Sequence, residues 1–209
     1  MTTDAIKVAA NYLRQGGEKP NSKAVVAALL AAEKLSKQEK NQYEYEDFLG
    51  TWRLGFVSGT QTVRSSPNAK PIKRPGKGRF LPKAVKIEIT YSAGALPGFA
   101  KSSDSTARVP NVRLNKVSNV VTVGPLQLCL LGPTRFWPNL NALAFDFTNI
   151  AVSLGSWTPY QGEIRGGKDS LLNFDQKSLK DQAFFTFFRV EADYIAARGK
   201  GGGLALWTR

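Results

Sequence analysis

Histidine is absent from this sequence. Its absence excludes Ser-His-Asp and Cys-His nucleophilic catalysis and imidazole-ligated zinc. Cysteine occurs once, at Cys129, which excludes an internal disulfide and a cysteine zinc cluster and fits a reducing compartment. As a single thiol in an apolar stretch, Cys129 reads as a buried small hydrophobe. No run of about 18 apolar residues is present, so no helix is expected to span a bilayer. The opening MTTDAIKVAANYLRQ carries Asp4 early and lacks a long apolar core, so no cleaved signal peptide is expected. The chemistry left open would use carboxylates, lysine, tyrosine or a bound cofactor. Glu191 and Asp193 share a strand face about 7 Å apart, with Arg189 and Arg198 near in sequence, and read as a rim salt network. The expectation is a non-enzyme with no cofactor and no metal.

What is present suits one domain plus an extension: 209 residues, 42% apolar and 22% charged. The net charge is +13, which draws polyanions, either nucleic acid or an anionic membrane surface. Much of it is concentrated in residues 64–83, RSSPNAKPIKRPGKGRFLPK, with seven Lys/Arg and no acid. Four prolines there are expected to break any regular element. Lys70, Lys73, Arg74, Lys77 and Arg79 are candidates for anionic-surface contact. Arg135 and Trp137, in the apolar and breaker-rich stretch 124–140, are candidates for the headgroup region of a membrane. No RNP-like, KH-like or zinc-knuckle pattern accompanies the basic run, so nucleic acid is the less favoured partner.

Two helices are expected first. Residues 3–15 place Ala5, Ala9 and Tyr12 on one stripe, and Gly16-Gly17 and Pro20 end it. Asn21 or Ser22 caps a second helix whose Val25, Leu29, Ala32 and Leu35 recur at helical spacing. From Gly50 onward the apolar period falls to about two. In Lys83–Tyr91, Val85, Ile87, Ile89 and Tyr91 share a face opposite Lys86, Glu88 and Thr90. Further strands are expected at Arg108–Lys116, Val117–Val123, Leu126–Leu131, Leu143–Leu154, Thr158–Arg165, Gln182–Ala197 and Leu204–Thr208. Gly124-Pro125, Gly132-Pro133, Gly155, Gly166-Gly167-Lys168-Asp169 and Gly199–Gly203 read as turns between them. A phase slip inside 143–154 predicts a bulge near Thr148-Asn149. Apart from a turn at Ser178–Gln182, helix is expected only near the N-terminus. Such a run of short antiparallel strands predicts a mainly β sandwich or up-and-down barrel of about eight strands.

The stretch YEYEDFLGTWRLGF, residues 43–56, joins the helical part, 1–48, to the β domain, 49–209. Trp52 begins the first strand and Arg209 follows the last. An indole at one end of a barrel, covered by a guanidinium, makes a seal through a cation–π contact. Gly50-Thr51-Trp52 resembles the Gly-X-Trp signature of lipocalins. FLGTWRLGF, with the glycine-rich hairpin in ARGKGGGLALW, is similar to the plastid lipid-associated proteins, or plastid fibrillins, over roughly residues 44–209. The resemblance implies an antiparallel lipocalin-like, calycin-type barrel closed by Gly50, Trp52 and Arg209. It also implies a hydrophobic small-molecule partner such as a carotenoid, quinone or lipid. The site of action would be the cyanobacterial thylakoid periphery or cytoplasm, or the chloroplast thylakoid or plastoglobule, beside anionic lipid.

Candidates to line the interior are Phe56, Ile87, Ile89, Phe145, Phe147, Phe185 and Phe187. In AFFTFFRV, residues 183–190, both faces carry phenylalanine, so one face looks inward and the other is covered by the helices or a membrane. Two other readings stay open: a bilin lyase or isomerase on the same barrel, and a basic adaptor for RNA or acidic partners bound through 64–83.

Overall fold

A computed structural model describes residues 2–64, 71–94 and 115–209. The expected strand at Arg108–Lys116 and the candidate Lys70 fall largely or wholly outside the described residues. Two helices lead, α1 (Thr2–Gln15) and α2 (Ser22–Glu39). The Asn21 side chain caps α2 by accepting from the backbone N–H groups of Lys23 and Ala24, at 2.9 and 3.3 Å. Val25 and Leu29 are buried as the spacing predicts, but Leu35 is exposed; Glu33 and Ser36 take the inner face instead.

The strands are β1 (Gly50–Val57), β2 (Thr60–Val63), β3 (Ile72–Pro75), β4 (Arg79–Phe80), β5 (Val85–Ser92), β6 (Asn115–Val123) and β7 (Leu126–Trp137). They continue as β8 (Ala142–Phe145), β9 (Asn149–Leu154), β10 (Trp157–Glu163), β11 (Ala183–Val190), β12 (Tyr194–Gly199) and β13 (Leu204–Thr208). Eight of them close an antiparallel ring in the order β1-β5-β6-β7-β8-β11-β12-β13, with β13 returning to β1. The chain is therefore mainly β, built on an eight-stranded barrel with N-terminal helices.

Four boundaries differ from the sequence expectation. Gln182–Ala197, expected as one strand, is the hairpin of β11 and β12, with its turn at residues 191–193. Gly132-Pro133 is not a turn; it lies within β7, which runs twelve residues. There β8 crosses so closely that a Cβ on Gly132 would collide with the Asp146 carbonyl oxygen. The prolines of 64–83 do not abolish regular structure, since β3 pairs with β2 and β4 with β1. Pro75 ends β3, where a missing N–H costs nothing. Finally, Gly166–Asp169 opens a third helix, α3 (Gly167–Leu172), followed by 3-10 turns at Phe174–Gln176 and Leu179–Asp181.

The long strand β7 has two partners on the same edge. Its second half pairs with β8 and closes the barrel, whereas Leu126–Leu131 pairs with β9, which in turn pairs with β10. The expected slip is the break between β8 and β9 at residues 146–148. Leu143, Phe145 and Phe147 pack into the barrel before it, and Ile150, Val152 and Leu154 carry the inward register after it. The barrel thus flares at one end into a flap of β5, β6, β7, β9 and β10, with β10 as its edge.

Two cores result. Outside the wall, α1 and α2 lay Ile6, Ala9, Ala10, Val25 and Leu29 on Phe56, Phe188, Ala196, Leu204 and Leu206. Small alanine side chains let the helices approach closely. Glu33 fixes α2 to β12, accepting from Arg198 Nε at 2.9 Å and Nη2 at 2.5 Å. Inside the wall, Trp52, Phe48, Ile89, Tyr91, Val117, Leu143, Phe187, Ile195 and Trp207 fill the closed half.

Candidate binding trough

The 3-10 turn at Tyr45–Phe48 plugs one end of the barrel. Its Phe48 is fully buried, and the Phe48 carbonyl accepts from Trp52 Nε1 at 2.7 Å. The Arg209 guanidinium lies 4.0 Å from the centroid of the Trp52 ring. It also donates to the carbonyls of Leu49 at 3.0 Å and Ala192 at 2.6 Å. Gly50 sits between them at φ +107°, a conformation L side chains rarely adopt, with a would-be Cβ 3.4 Å from Arg209 Nη1. Gly50, Trp52 and Arg209 are therefore one structural unit.

From this plug an aromatic column runs along the axis. Phe48 meets Phe187 at 4.5 Å between centroids, Phe185 meets Trp207 at 5.1 Å, Phe145 stacks on Phe185 at 5.2 Å, and Phe147 follows at 5.4 Å. Burial falls along the column: Phe187 is buried, whereas Phe185, Phe145 and Phe147 are half-buried. Ile89 is buried in the closed half, and Ile87, two residues nearer the open end on the same face, is half-exposed.

Phe56 does not join them. A β-bulge between Leu54 and Phe56 turns Gly55 toward Leu13 of α1 and puts Phe56 on the outer face, 4.9 Å from Phe80. One inserted residue reverses the phase, so the alternation counted from Trp52 points the wrong way. Leu54 and Val57 take the inward positions. The two other phenylalanines of 183–190 face out: Phe188 lies under the N-terminal helices and Phe184 against Phe174. Protein covers both.

Beyond the closed half, the inner face of the flap is a continuous apolar surface. Cross-strand register places Val121, Leu128 and Val152 in one row, and Val123, Leu126, Leu154 and Trp157 in the next. The first row is half-buried and the second exposed. The sequence offers this surface as plain alternation in 117–131. What it hides is that β9 and β10 extend it past the barrel's closure.

The anionic-contact candidates are split between the two ends. Lys73, Arg74, Lys77 and Arg79 stand on or beside β3 and β4 at the open end. Arg135 and Trp137 lie on the outer wall toward the plug, 4.5 Å apart in a cation–π pair. There Arg135 donates to the Asp175 carbonyl and Trp137 packs near Phe174. Both residues belong to strand β7 and are held by Phe174 and Asp175, so they do not form an interfacial loop. A polar cleft of about 570 Å³ opens beside the plug, lined by Glu44, Tyr45, Thr134, Arg135 and Asp175 among others.

No catalytic constellation emerges from the described side chains. Glu191 and Asp193 pair with Arg189 and Arg14 at 2.8 and 2.7 Å. Ser170 Oγ donates to Asp146 at 3.0 Å and accepts from Lys177 Nζ at 3.0 Å, which ties α3 across the break between β8 and β9. Cys129 faces outward on β7 and is half-exposed rather than buried; the burial it does have raises its thiol pKa, which disfavours the thiolate. Among the described residues no group of three or more His, Cys, Asp or Glu is placed to hold a metal, and no helix is long and apolar enough to cross a membrane. No protein-family model, curated protein or solved structure matches the chain.

Proposed function

We propose that this chain binds a hydrophobic small molecule noncovalently in the trough between the half-buried phenylalanines and the flap. An eight-stranded barrel of this kind is compatible with such binding. One observation carries the reading. The plugged half is packed solid by Phe48, Trp52, Leu143 and Phe187, while the apolar inner face of the flap continues from it without a covering element among the described residues. Apolar surface of that extent is normally buried by something. Each CH₂ moved from water onto it contributes about 0.8 kcal/mol, so a prenyl, acyl or polyene chain gains many times that. A carotenoid, quinone or lipid from a photosynthetic membrane is the class we favour, in keeping with the resemblance of FLGTWRLGF to the plastid lipid-associated proteins.

Purification from a photosynthetic host, organic extraction and mass spectrometry test this. A co-purifying carotenoid, prenylquinone or lipid in stoichiometric amount is the expected result. An extract free of all three, together with no quenching of Trp207 emission by added short-chain quinone, rejects it.

A further inference from the structure

The open rim has a chemistry separate from the trough it surrounds. Its strand ends and turns include residues 57–64, 71–87, 119–130, 150–162 and 199–205, none of them an aspartate or glutamate; the acid beside them is Asp181, just before β11, where Lys200 donates to the Lys180 and Gln182 carbonyls. Lys73, Arg74, Lys77 and Arg79 are exposed there, and none belongs to an ion pair among the described residues. The plugged end is mixed in sign: Glu44, Glu46 and Asp47 in the plug and Glu191 and Asp193 in the turn between β11 and β12 stand among Arg189, Arg14, Arg135 and Arg209. Unpaired positive charge among the described residues is therefore in excess at the open end, and an anionic surface draws that end toward itself.

The same rim exposes apolar turns. Val123 and Leu126 flank Gly124-Pro125 at 45% and 48% exposure; Leu154 and Trp157 flank Gly155-Ser156 at 48% and 65%. Pairing of Leu126 with Leu154 sets the two turns side by side. Cations alone would suit any polyanion. Aliphatic tips and an indole beside them suit a bilayer interface, where tryptophan sits at headgroup depth and aliphatic side chains reach the acyl boundary. We propose that the open rim is a docking surface for a bilayer carrying anionic headgroups, with the β6–β7 and β9–β10 turns entering the interface. The trough then opens directly onto the acyl layer. Docking of the rim does not depend on the trough being filled.

The test uses the full chain with vesicles of phosphatidylcholine alone and of phosphatidylcholine mixed with phosphatidylglycerol, each also prepared with acyl-brominated lipid. Trp52 and Trp207 are buried, Trp137 is half-buried on the outer wall toward the plug, and Trp157 is exposed at the rim, so bromine quenching reports chiefly Trp157. Expected results are co-sedimentation that needs phosphatidylglycerol and weakens with salt, and quenching that Trp157→Phe removes. Lys73→Ala and Arg74→Ala should lower partitioning roughly fivefold for each charge removed, with unchanged circular dichroism. Absence of phosphatidylglycerol-dependent sedimentation overturns the proposal. So does partitioning indifferent to Lys73→Ala and Arg74→Ala, or binding that leaves Trp157 unquenched. Tight binding to single-stranded RNA with no vesicle binding reassigns the rim to nucleic acid. An empty organic extract defeats the cargo reading alone, and absent vesicle binding defeats this one alone.

Discussion

Arg209 covers the indole of Trp52 at 4.0 Å and at the same time donates to the carbonyls of Leu49 and Ala192. One side chain thus ties the start of β1 to the β11–β12 turn, and the aromatic plug is held by hydrogen bonds as well as by its ring contact. Replacing Arg209 with Ala removes a cation–π contact of about 0.5–2 kcal/mol and hands two exposed carbonyls to water. The expected loss is about 1–2 kcal/mol, read as a lower urea midpoint. Arg209→Lys should recover only part of it, because an ammonium cannot lie flat on the ring while reaching both carbonyls.

Phe56 and Phe185 separate stability from cargo. Phe56 is fully buried between barrel and helices, so Phe56→Ala should cost about 3–5 kcal/mol and leave the affinity of the folded protein for a short-chain quinone unchanged. Phe185 is half-buried at the trough floor. Phe185→Ala should cost less stability and lower quinone affinity. Titration by fluorescence beside urea melts checks both.

Gly132→Ala should destabilise by about 1–3 kcal/mol or more, since a backbone carbonyl rather than a movable side chain occupies the space. Thermal unfolding monitored by circular dichroism measures it. Gly124→Ala, at a rim turn with open space around it, should cost only its positive-φ strain.

Acid stability should depend on Glu33. Burial raises its carboxyl pKa, but hydrogen bonds and charge from Arg198 and Lys37 outweigh that and hold it below 4.5. A folded pKa below the unfolded one means the stabilisation is present above pH 4.5 and is lost as pH falls through the folded value. Urea midpoints followed downward from neutral pH should show this fall, and Glu33→Gln should flatten it while lowering stability at neutral pH.

At the alkaline side the group is Tyr91, fully buried with no partner for its hydroxyl among the described residues. Burial raises its pKa far above 10. A raised pKa gives stability that is present below pH 10 and lost as pH climbs past it. Tyr91→Phe should therefore resist alkaline unfolding better than the parent and cost little at neutral pH. Tyrosinate absorbance with near-UV circular dichroism follows both.

Much of the architecture was legible because local rules and the fold agree. Asn21 caps where a cap is expected, period-two alternation marks β5, and the Gly-X-Trp stretch sits beside a distant arginine. The errors share a cause: non-local pairing. Alternation misplaces Phe56 because the bulge at Gly55 follows from how β1 meets β13 and α1. Gly132-Pro133 looks like a turn until β8 is known to cross it. Arg135 and Trp137 read as an interfacial pair only while Phe174 and Asp175, forty residues away, are out of view. The flap could not be read at all, since nothing in β7 says that its two halves pair with different strands.

The flap leaves β10 as an outer strand, and an outer strand normally invites a second molecule to add on. Here Pro159 stands where a ladder donor is needed, and β10 slips its register against β9 between Trp157 and Tyr160. A proline that donates nothing and a twist that breaks the flatness both obstruct edge-to-edge polymerisation. The chain can hold a broad greasy sheet open to its surroundings while its margin stays a poor template for another copy.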